Sequence, residues 1–262
     1  MQSISFDRAA GYYDQTRGLP AEIADQIAAS AAEKLPIGAR ALEIGIGTGR
    51  ISIPLMQRGL RISGIDLSVL MMKRLVEKVP HGNPPPALIQ ANATRLPLTS
   101  AAFDAVFAVH VFHLIGGWQQ AVQEIHRVLR LEGLLFIGYS RRDPDSPLTR
   151  IREQWSKLIG GYRAEDPRPG VRDIEKLDAH LKSLGAQINT LDVTEWKKLT
   201  SPAETIQELE AGVHSNTWHL SVEALHSCGA QLRNWARDQY GDLEQPMKTS
   251  MRFTWKLAQW TL

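Results

Sequence analysis

Residues 41–50 read Ala41-Leu42-Glu43-Ile44-Gly45-Ile46-Gly47-Thr48-Gly49-Arg50. An apolar run enters three alternating glycines, and a helical pattern follows. Glycine adopts positive φ without strain and lets a ligand come close to the backbone. The stretch is therefore a strand, a tight turn and a helix. Its turn lies at the carboxyl end of the strand, where open α/β sheets bind ligands. The spacing weighs against two other glycine loops. A nicotinamide dinucleotide site needs G-x-G-x-x-G. Gly45 and Gly47 fit, but Arg50 holds the third place, and the acid Glu43 stands two residues before the first glycine. A P-loop needs Gly-Lys-Ser/Thr, and none follows here. A strand–helix turn with no ligand would share this local sequence, so the flanking segments must separate the two.

Over the first 140 residues short apolar runs alternate with helical patterns. The runs fall at 41–44, 62–65, 87–89, 105–109 and 134–139. One helix spans 119–129, with Val122, Ile125, Val128 and Leu129 on one face. Another runs from Ser68 towards Val79, and an N-terminal helix carries Ile23, Ile27, Ala31 and Leu35. Strands separated by such helices form βαβ units and a parallel sheet covered on both sides. Further on, a helix containing Trp155 and Leu158 follows the turn signals at 143–147. A stripe of Val171, Ile174, Leu177, Leu181 and Leu184 ends at Gly185. Segments 187–196 and 247–260 are long strands, with helices near 202–211 and 221–240 between them. The expected ending is a strand pair that completes the sheet, interrupted by a helical insertion.

The second strand, Ile62-Ser63-Gly64-Ile65-Asp66, ends in a carboxylate 17 residues after Gly49. A carboxylate there can accept hydrogen bonds from both hydroxyls of a ribose. Asp is also a favoured helix N-cap, and one residue can serve both ends.

The 262 residues suit one large domain, or one with an appendage. Hydrophobic residues make up 43% and charged residues 22%, as in ordinary globular chains. A formal net charge of +2 gives no chain-wide basic surface for nucleic acid. Cys228 is the single cysteine, so no intrachain disulfide and no cysteine-based zinc site can form. Residues 1–13 carry Asp7 and Arg8 and do not resemble a signal peptide. No run approaches the ~18 apolar residues of a membrane span. The expectation is a cytoplasmic protein, monomer or homodimer, that acts on a small molecule and binds no nucleic acid, membrane or metal.

Several segments carry a family pattern in order. Phe6-Asp7-Arg8-Ala9-Ala10-Gly11-Tyr12-Tyr13-Asp14 matches F-D-x-x-A-x-x-Y-D. Asp66-Leu67-Ser68 followed by Met71 matches D-x-S-x-x-M. Ala91-Asn92-Ala93-Thr94-Arg95-Leu96-Pro97-Leu98 matches G-D-A-x-x-L-P-F. Phe103-Asp104, His110 to Leu114, and Glu124-Ile125-His126-Arg127-Val128-Leu129 continue it. With the glycine loop, these make residues 5–140 resemble the class I S-adenosylmethionine-dependent methyltransferases. The narrower likeness is to the type 11 group of small-molecule methyltransferases of quinone and biotin biosynthesis.

The resemblance implies an α/β fold: a seven-stranded, mostly parallel Rossmann-like sheet with helices on both faces, N-terminal helices and a C-terminal helical insertion. It implies one methyltransferase domain over 1–262, with a cofactor-binding core at 36–140 and substrate-side helical additions at 141–185 and 200–245. The implied cofactor is S-adenosylmethionine. Gly45, Gly47 and Gly49 would line its methionine and ribose side, and Glu43 would organise the site near its amino group. Asp66 would hold the ribose hydroxyls. Leu67 and Met71 would flank the adenine ring, with Asn92 and the Ala93 backbone at its edge. His110 would lie near the methionine moiety, and Tyr13 and Arg17 near its carboxylate. Two positions depart from the family. Asn92 replaces the usual Asp; its amide oxygen accepts the same bond without the charge assistance. Leu131-Glu132-Gly133 replaces the usual Pro-Gly-Gly turn before the fifth strand, remote from the cofactor.

Methyl transfer needs a base only where the nucleophile must lose a proton. His110 and His113 follow the fourth strand, and histidine titrates near neutrality; His113 is the candidate base. Five of the seven tryptophans come late, at 196, 218, 235, 255 and 260. Trp218, with His214 or His219, is the candidate lining of an apolar acceptor pocket, whereas Trp255 and Trp260 suit core packing. His214, His219 and His226 lack the i, i+4 spacing of a metal-binding helix face. Arg141, Arg142, Arg150 and Arg152 could face an acidic substrate, or simply solvent. Three rivals remain open on sequence: a regulatory protein that binds S-adenosylmethionine without turnover, a methyltransferase of a macromolecule, and an NAD-dependent oxidoreductase.

Overall fold

The computed structural model describes residues 3–80, 85–162 and 168–260. Seven strands form one sheet: β1 (Arg40–Ile44), β2 (Arg61–Asp66), β3 (Ala87–Gln90), β4 (Phe103–Val109), β5 (Leu129–Arg142), β6 (Ala186–Thr200) and β7 (Met247–Trp260). Their order is β3-β2-β1-β4-β5-β7-β6. The pairs β1–β2, β1–β4, β2–β3 and β4–β5 are parallel. The last two strands run antiparallel, since Thr254 meets Asp192 while Arg252 meets Glu195. The strand pair at the chain's end and its helical interruption are thus as the sequence suggests. Chain direction across the sheet reverses between β1 and β4, which opens a crevice at their carboxyl ends.

Alternation along the central strands feeds two cores. Leu42, Ile44, Val106, Ala108, Leu135 and Ile137 face one side. There they pack on α5 (Trp118–Val128) and α7 (Ile174–Ser183). The other side is aromatic. Phe107 stacks on Phe136 at 4.7 Å, and Trp255 meets Phe136 edge-on at 5.5 Å. Trp255 also donates to Ser30 Oγ on α2 (Ala21–Ala32) at 3.1 Å, so α2 covers this face. Trp255 has no exposed surface, and Trp260 stacks on His126 at 4.5 Å; both serve as core. A Cβ on Gly138 would lie 2.6 Å from the Trp255 ring, so β5 needs a glycine there.

Two compact units divide the chain: 1–139 with 169–194 and 253–262, and 140–168 with 195–252. Residues 169–185 go with the first because Val171, Leu177 and Leu181 complete its core. The second unit is built on α6 (Pro147–Gly160), α8 (Pro202–Glu210) and α9 (Val222–Tyr240). Its core joins Ile151, Trp155, Ile206, Cys228 and Leu232. Ser201 and Glu204 close a capping box that starts α8.

The helix expected after the glycine loop is short, α3 (Ser52–Gln57), and contains Pro54, which the first turn tolerates. Two details differ from the sequence reading. The turn expected at 131–133 lies inside β5 instead. Four residues of β5, Arg130 to Gly133, lie opposite the single residue Asp104 of β4, and Glu132 adopts φ 61°. The bulge holds because Gln259 Nε2 donates to the Glu132 carbonyl at 2.7 Å. The helix after β2, α4 (Val69–Lys78), is capped by Ser68 and not by Asp66. Ser68 Oγ has the reach to accept from Met71 N, at 3.1 Å.

The Gly138 contact is testable. Gly138→Ala should drive a methyl group into the Trp255 ring and destabilise the fold by about 1–3 kcal/mol. Urea denaturation followed by tryptophan fluorescence would show an unchanged midpoint if the contact were slack.

Candidate cofactor site

The site is built where β1 and β2 end side by side. Gly45, Gly47 and Gly49 all have positive φ, at 68°, 55° and 79°. The loop folds back on β2, with Gly45 N and Ile46 N both donating to the Ile65 carbonyl at 2.9 and 3.0 Å. A Cβ on Gly49 would come within 2.7 Å of Leu75, so α4 packs against bare backbone there.

Asp66 ties this loop to the next. Its Oδ2 accepts from Gly47 N at 2.9 Å and its Oδ1 from Ser68 N at 2.8 Å. A carboxylate offers about four lone-pair sites, so acceptor capacity remains for a ligand hydroxyl. Burial pushes the Asp66 carboxyl upward, and the backbone N–H bonds of Ser68, Gly47 and Leu67 oppose this.

Glu43 lies deeper, only 3% exposed. It accepts from the Ser52 hydroxyl. Burial pushes its carboxyl up to about 8, against the Ser52 hydroxyl and the Arg50 charge, while Asp66 adds to the rise. A buried carboxyl whose partner is a hydroxyl stays largely neutral at pH 7.

Met71 is 2% exposed, and its Cε lies 3.4 Å from where a Gly47 Cβ would sit. The Leu67 carbonyl is held by Gln90 Nε2 at 3.0 Å. Ala93 is buried and Asn92 exposed. The Asn92 amide oxygen already accepts from Thr94 N at 3.1 Å, which closes an Asx turn and leaves one lone pair for a ligand. His110 has left-handed φ, 50°, fixed by its N–H donating to the Gly138 carbonyl at 3.0 Å. A non-glycine residue held there is a position worth functional attention. His113 lies in a short 3₁₀ turn, and its carbonyl accepts from Gly170 N at 3.1 Å.

The N-terminal segment reaches the same loops. Tyr13 opens α1 (Tyr13–Arg17), 5.9 Å below the Arg50 guanidinium and edge-on to Phe6 at 6.0 Å. The Arg17 carbonyl accepts from Arg50 Nη1 at 2.8 Å. The structure thus gathers Glu43, the three glycines, Asp66, Met71 and Tyr13. Sequence reading missed the polar groups that lock them: Ser52, Ser68, Thr48, Asp7 and Asp14. The available signal was a hydroxyl residue beside each glycine or acid of the two loops.

In the second unit, Arg152 and His214 converge on Glu208, at 2.8 and 3.1 Å. Burial works against ionisation of Glu208, but these partners prevail and hold its carboxyl well below the usual range. Arg152 is therefore committed to an internal ion pair. Arg141, Arg142 and Arg150 are exposed, as are His219 and His226, while Trp218 is half-buried.

Glu43 makes a pH prediction. Its folded-state value exceeds the ordinary 4.5, so the native state binds the extra proton. Its stability contribution is present below pH 4.5 and is lost as pH rises towards about 8. Ligand-free Glu43→Gln should lack this loss, which is at most about 1.4 kcal/mol per pH unit. Parallel pH profiles for wild type and variant, measured by chemical denaturation, would contradict it.

The comparisons agree with this geometry. A family model described as "Methyltransferase domain" matches residues 42–137. A malonyl-[acyl-carrier protein] O-methyltransferase from Enterobacter lignolyticus is 32% identical over 200 residues, covering 73% of this chain and 72% of the relative. A phosphatidylethanolamine N-methyltransferase from Cereibacter sphaeroides is 33% identical over 124 residues, or 46% of this chain and 60% of the relative. The solved YcgJ protein of Bacillus subtilis shares the fold with a TM-score of 0.60 and 17% identity, over 90% of this chain and 98% of that one. The glycine loop, the acid after β2 and the ordered downstream motifs all lie in regions shared with such relatives, and the chain belongs to the class I S-adenosylmethionine-dependent methyltransferases.

Proposed function

We propose that the chain methylates a small-molecule acceptor, with Asp66 as the anchor of the cofactor's ribose. The observation that carries this is the Asp66 carboxylate, pinned by backbone N–H groups of both loops with acceptor capacity left for a ligand. S-adenosylmethionine supplies an electrophilic methyl group on a sulfonium. The chain's residues bind, orient and exclude water. In this reading Gly45, Gly47 and Gly49 lie along the methionine and ribose side, and Glu43 faces the amino group. Leu67 and Met71 flank the adenine, with Asn92 and Ala93 at its edge. His110, Tyr13 and Arg17 serve the methionine end. The second unit carries acceptor recognition, whereas residues 169–185 belong to the core of the first.

Calorimetric titration tests the anchor. Wild type should bind S-adenosylmethionine and S-adenosylhomocysteine at micromolar Kd and NAD far more weakly. Asp66→Ala removes bonds to a charged group worth about 1.5–3 kcal/mol and should weaken both by roughly 10- to 100-fold. Preference for NAD, or no binding of either sulfur compound, overturns the reading.

The acceptor atom determines whether a base is needed. The two relatives' names put methyl on an oxygen of a malonyl thioester in one case and on an amine nitrogen in the other. A carboxylate oxygen arrives deprotonated, whereas an ammonium or hydroxyl must give up a proton. We assign that proton to His113. His113→Ala should lower kcat on amine or hydroxyl acceptors by about 10²-fold and leave a carboxylate acceptor unaffected. Equal turnover by variant and wild type on an amine acceptor removes His113 from the mechanism.

A further inference from the structure

Two aspartates of the N-terminal segment reach the two loops that frame Asp66. Asp14 Oδ1 accepts from Thr48 Oγ1 at 2.5 Å, and its Oδ2 accepts from Lys78 Nζ at 2.8 Å. Asp7 Oδ1 accepts from Ser68 Oγ at 2.5 Å, and its Oδ2 accepts from Ser5 Oγ at 3.0 Å. Thr48 stands between Gly47 and Gly49 and is buried. Ser68 is fully buried at the start of α4. One hydroxyl thus belongs to the residue after Gly47 and the other to Ser68 itself, the two residues whose N–H groups hold Asp66.

The chemistry of Ser68 shows why an acceptor is needed. Its oxygen accepts from Met71 N to cap α4. That leaves one hydroxyl proton inside a buried site, where an unmet donor is costly. Asp7 takes it. The bond is strong enough for Ser68 to hold the Asp7 carboxyl below its ordinary range, against a small cost of burial. Thr48 has the same need and gives its proton to Asp14, whose charge Lys78 balances. The segment is anchored at both ends. Ser3 Oγ accepts from Gly116 N at 3.1 Å, Ile4 N donates to the Leu114 carbonyl at 3.1 Å, and the Arg17 carbonyl accepts from Arg50.

We propose that Asp7 and Asp14 are positioning residues for the cofactor: they fix the glycine loop and the α4 start at the spacing that lets Asp66 receive a ribose. Neither aspartate touches the ligand. The proposal rests on the cofactor reading above, and the two are separable by experiment.

Asp7→Ala, Asp7→Asn, Asp14→Ala and Asp14→Asn are each titrated calorimetrically with S-adenosylhomocysteine, and each is melted without ligand. Loss of one such bond should raise Kd roughly 5- to 20-fold in the alanine variants. Asparagine keeps the acceptor oxygen and should bring Kd back to within about threefold of wild type. The asparagine variants should also melt with wild type, which excludes a general loss of fold as the cause. Wild-type affinity in both alanine variants overturns the proposal, as does asparagine failing to rescue. Wild type failing to bind S-adenosylhomocysteine overturns the cofactor reading itself, and this proposal with it.

Discussion

One carboxylate fixes the geometry of the whole site. Asp66 stands at the end of β2, and its two oxygens are claimed by backbone N–H groups from two different loops. The glycine loop delivers Gly47 N to that oxygen through a run of left-handed glycines. Its left-handed residues follow from this demand, and so does the absence of side chains that would strike Leu75 or Val111. The β1–β2 register aligns Ile44 with Ile65, which brings both strand ends to the same level. The crevice opened by the reversal of chain direction then has a defined floor.

The two acids of this floor, Glu43 buried and Asp66 half-buried, differ in their partners. Asp66 receives several backbone N–H bonds, which favour the charged form. Glu43 receives only the groups of Ser52 and lies near a second carboxyl. Burial raises both carboxyls, but backbone N–H bonds oppose the rise at Asp66, whereas Glu43 is carried up to about 8 despite Ser52 and the Arg50 charge. Environment sets these different states in chemically similar side chains. The contrast with Glu208 is instructive: it is half-buried, yet Arg152 and His214 hold its carboxyl well below the usual range.

Much of the sheet was legible in the sequence because parallel strands buried on both faces are continuous apolar runs. The strand pair 187–196 and 247–260 and the helices between them were legible for the same reason of periodicity. The glycine loop and Asp66 announced themselves through spacing. What stayed hidden depended on partners distant in sequence. Asp66 suits an N-cap by residue type, but its oxygens are spent on Gly47 and on Ser68 N, and the cap passes to Ser68. The bulge at Glu132 answers to Gln259, more than a hundred residues away. Trp255 suits core packing by composition, but its partners Phe136, Ser30 and Gly138 are distant in sequence and could not be read from it. Asp7 and Asp14 stood inside a visible motif, but their hydroxyl partners could not be read from it.

The long ribbon of β6 and β7 has an architectural consequence. The helices α8 and α9 leave the chain at Thr200 and return by Met247, and the pairing of these two strands holds departure and return side by side. The entropy of closing a loop grows only slowly with its length. A segment clamped at its neck can therefore be lengthened, shortened or replaced at little thermodynamic expense to the sheet. This stretch is held by its two ends and by the core that α8 and α9 share with α6, so α6 must travel with them. Such an arrangement lets heredity experiment with one region while the sheet stays constant, and it makes the inserted helices a natural cassette for grafting between members of the family.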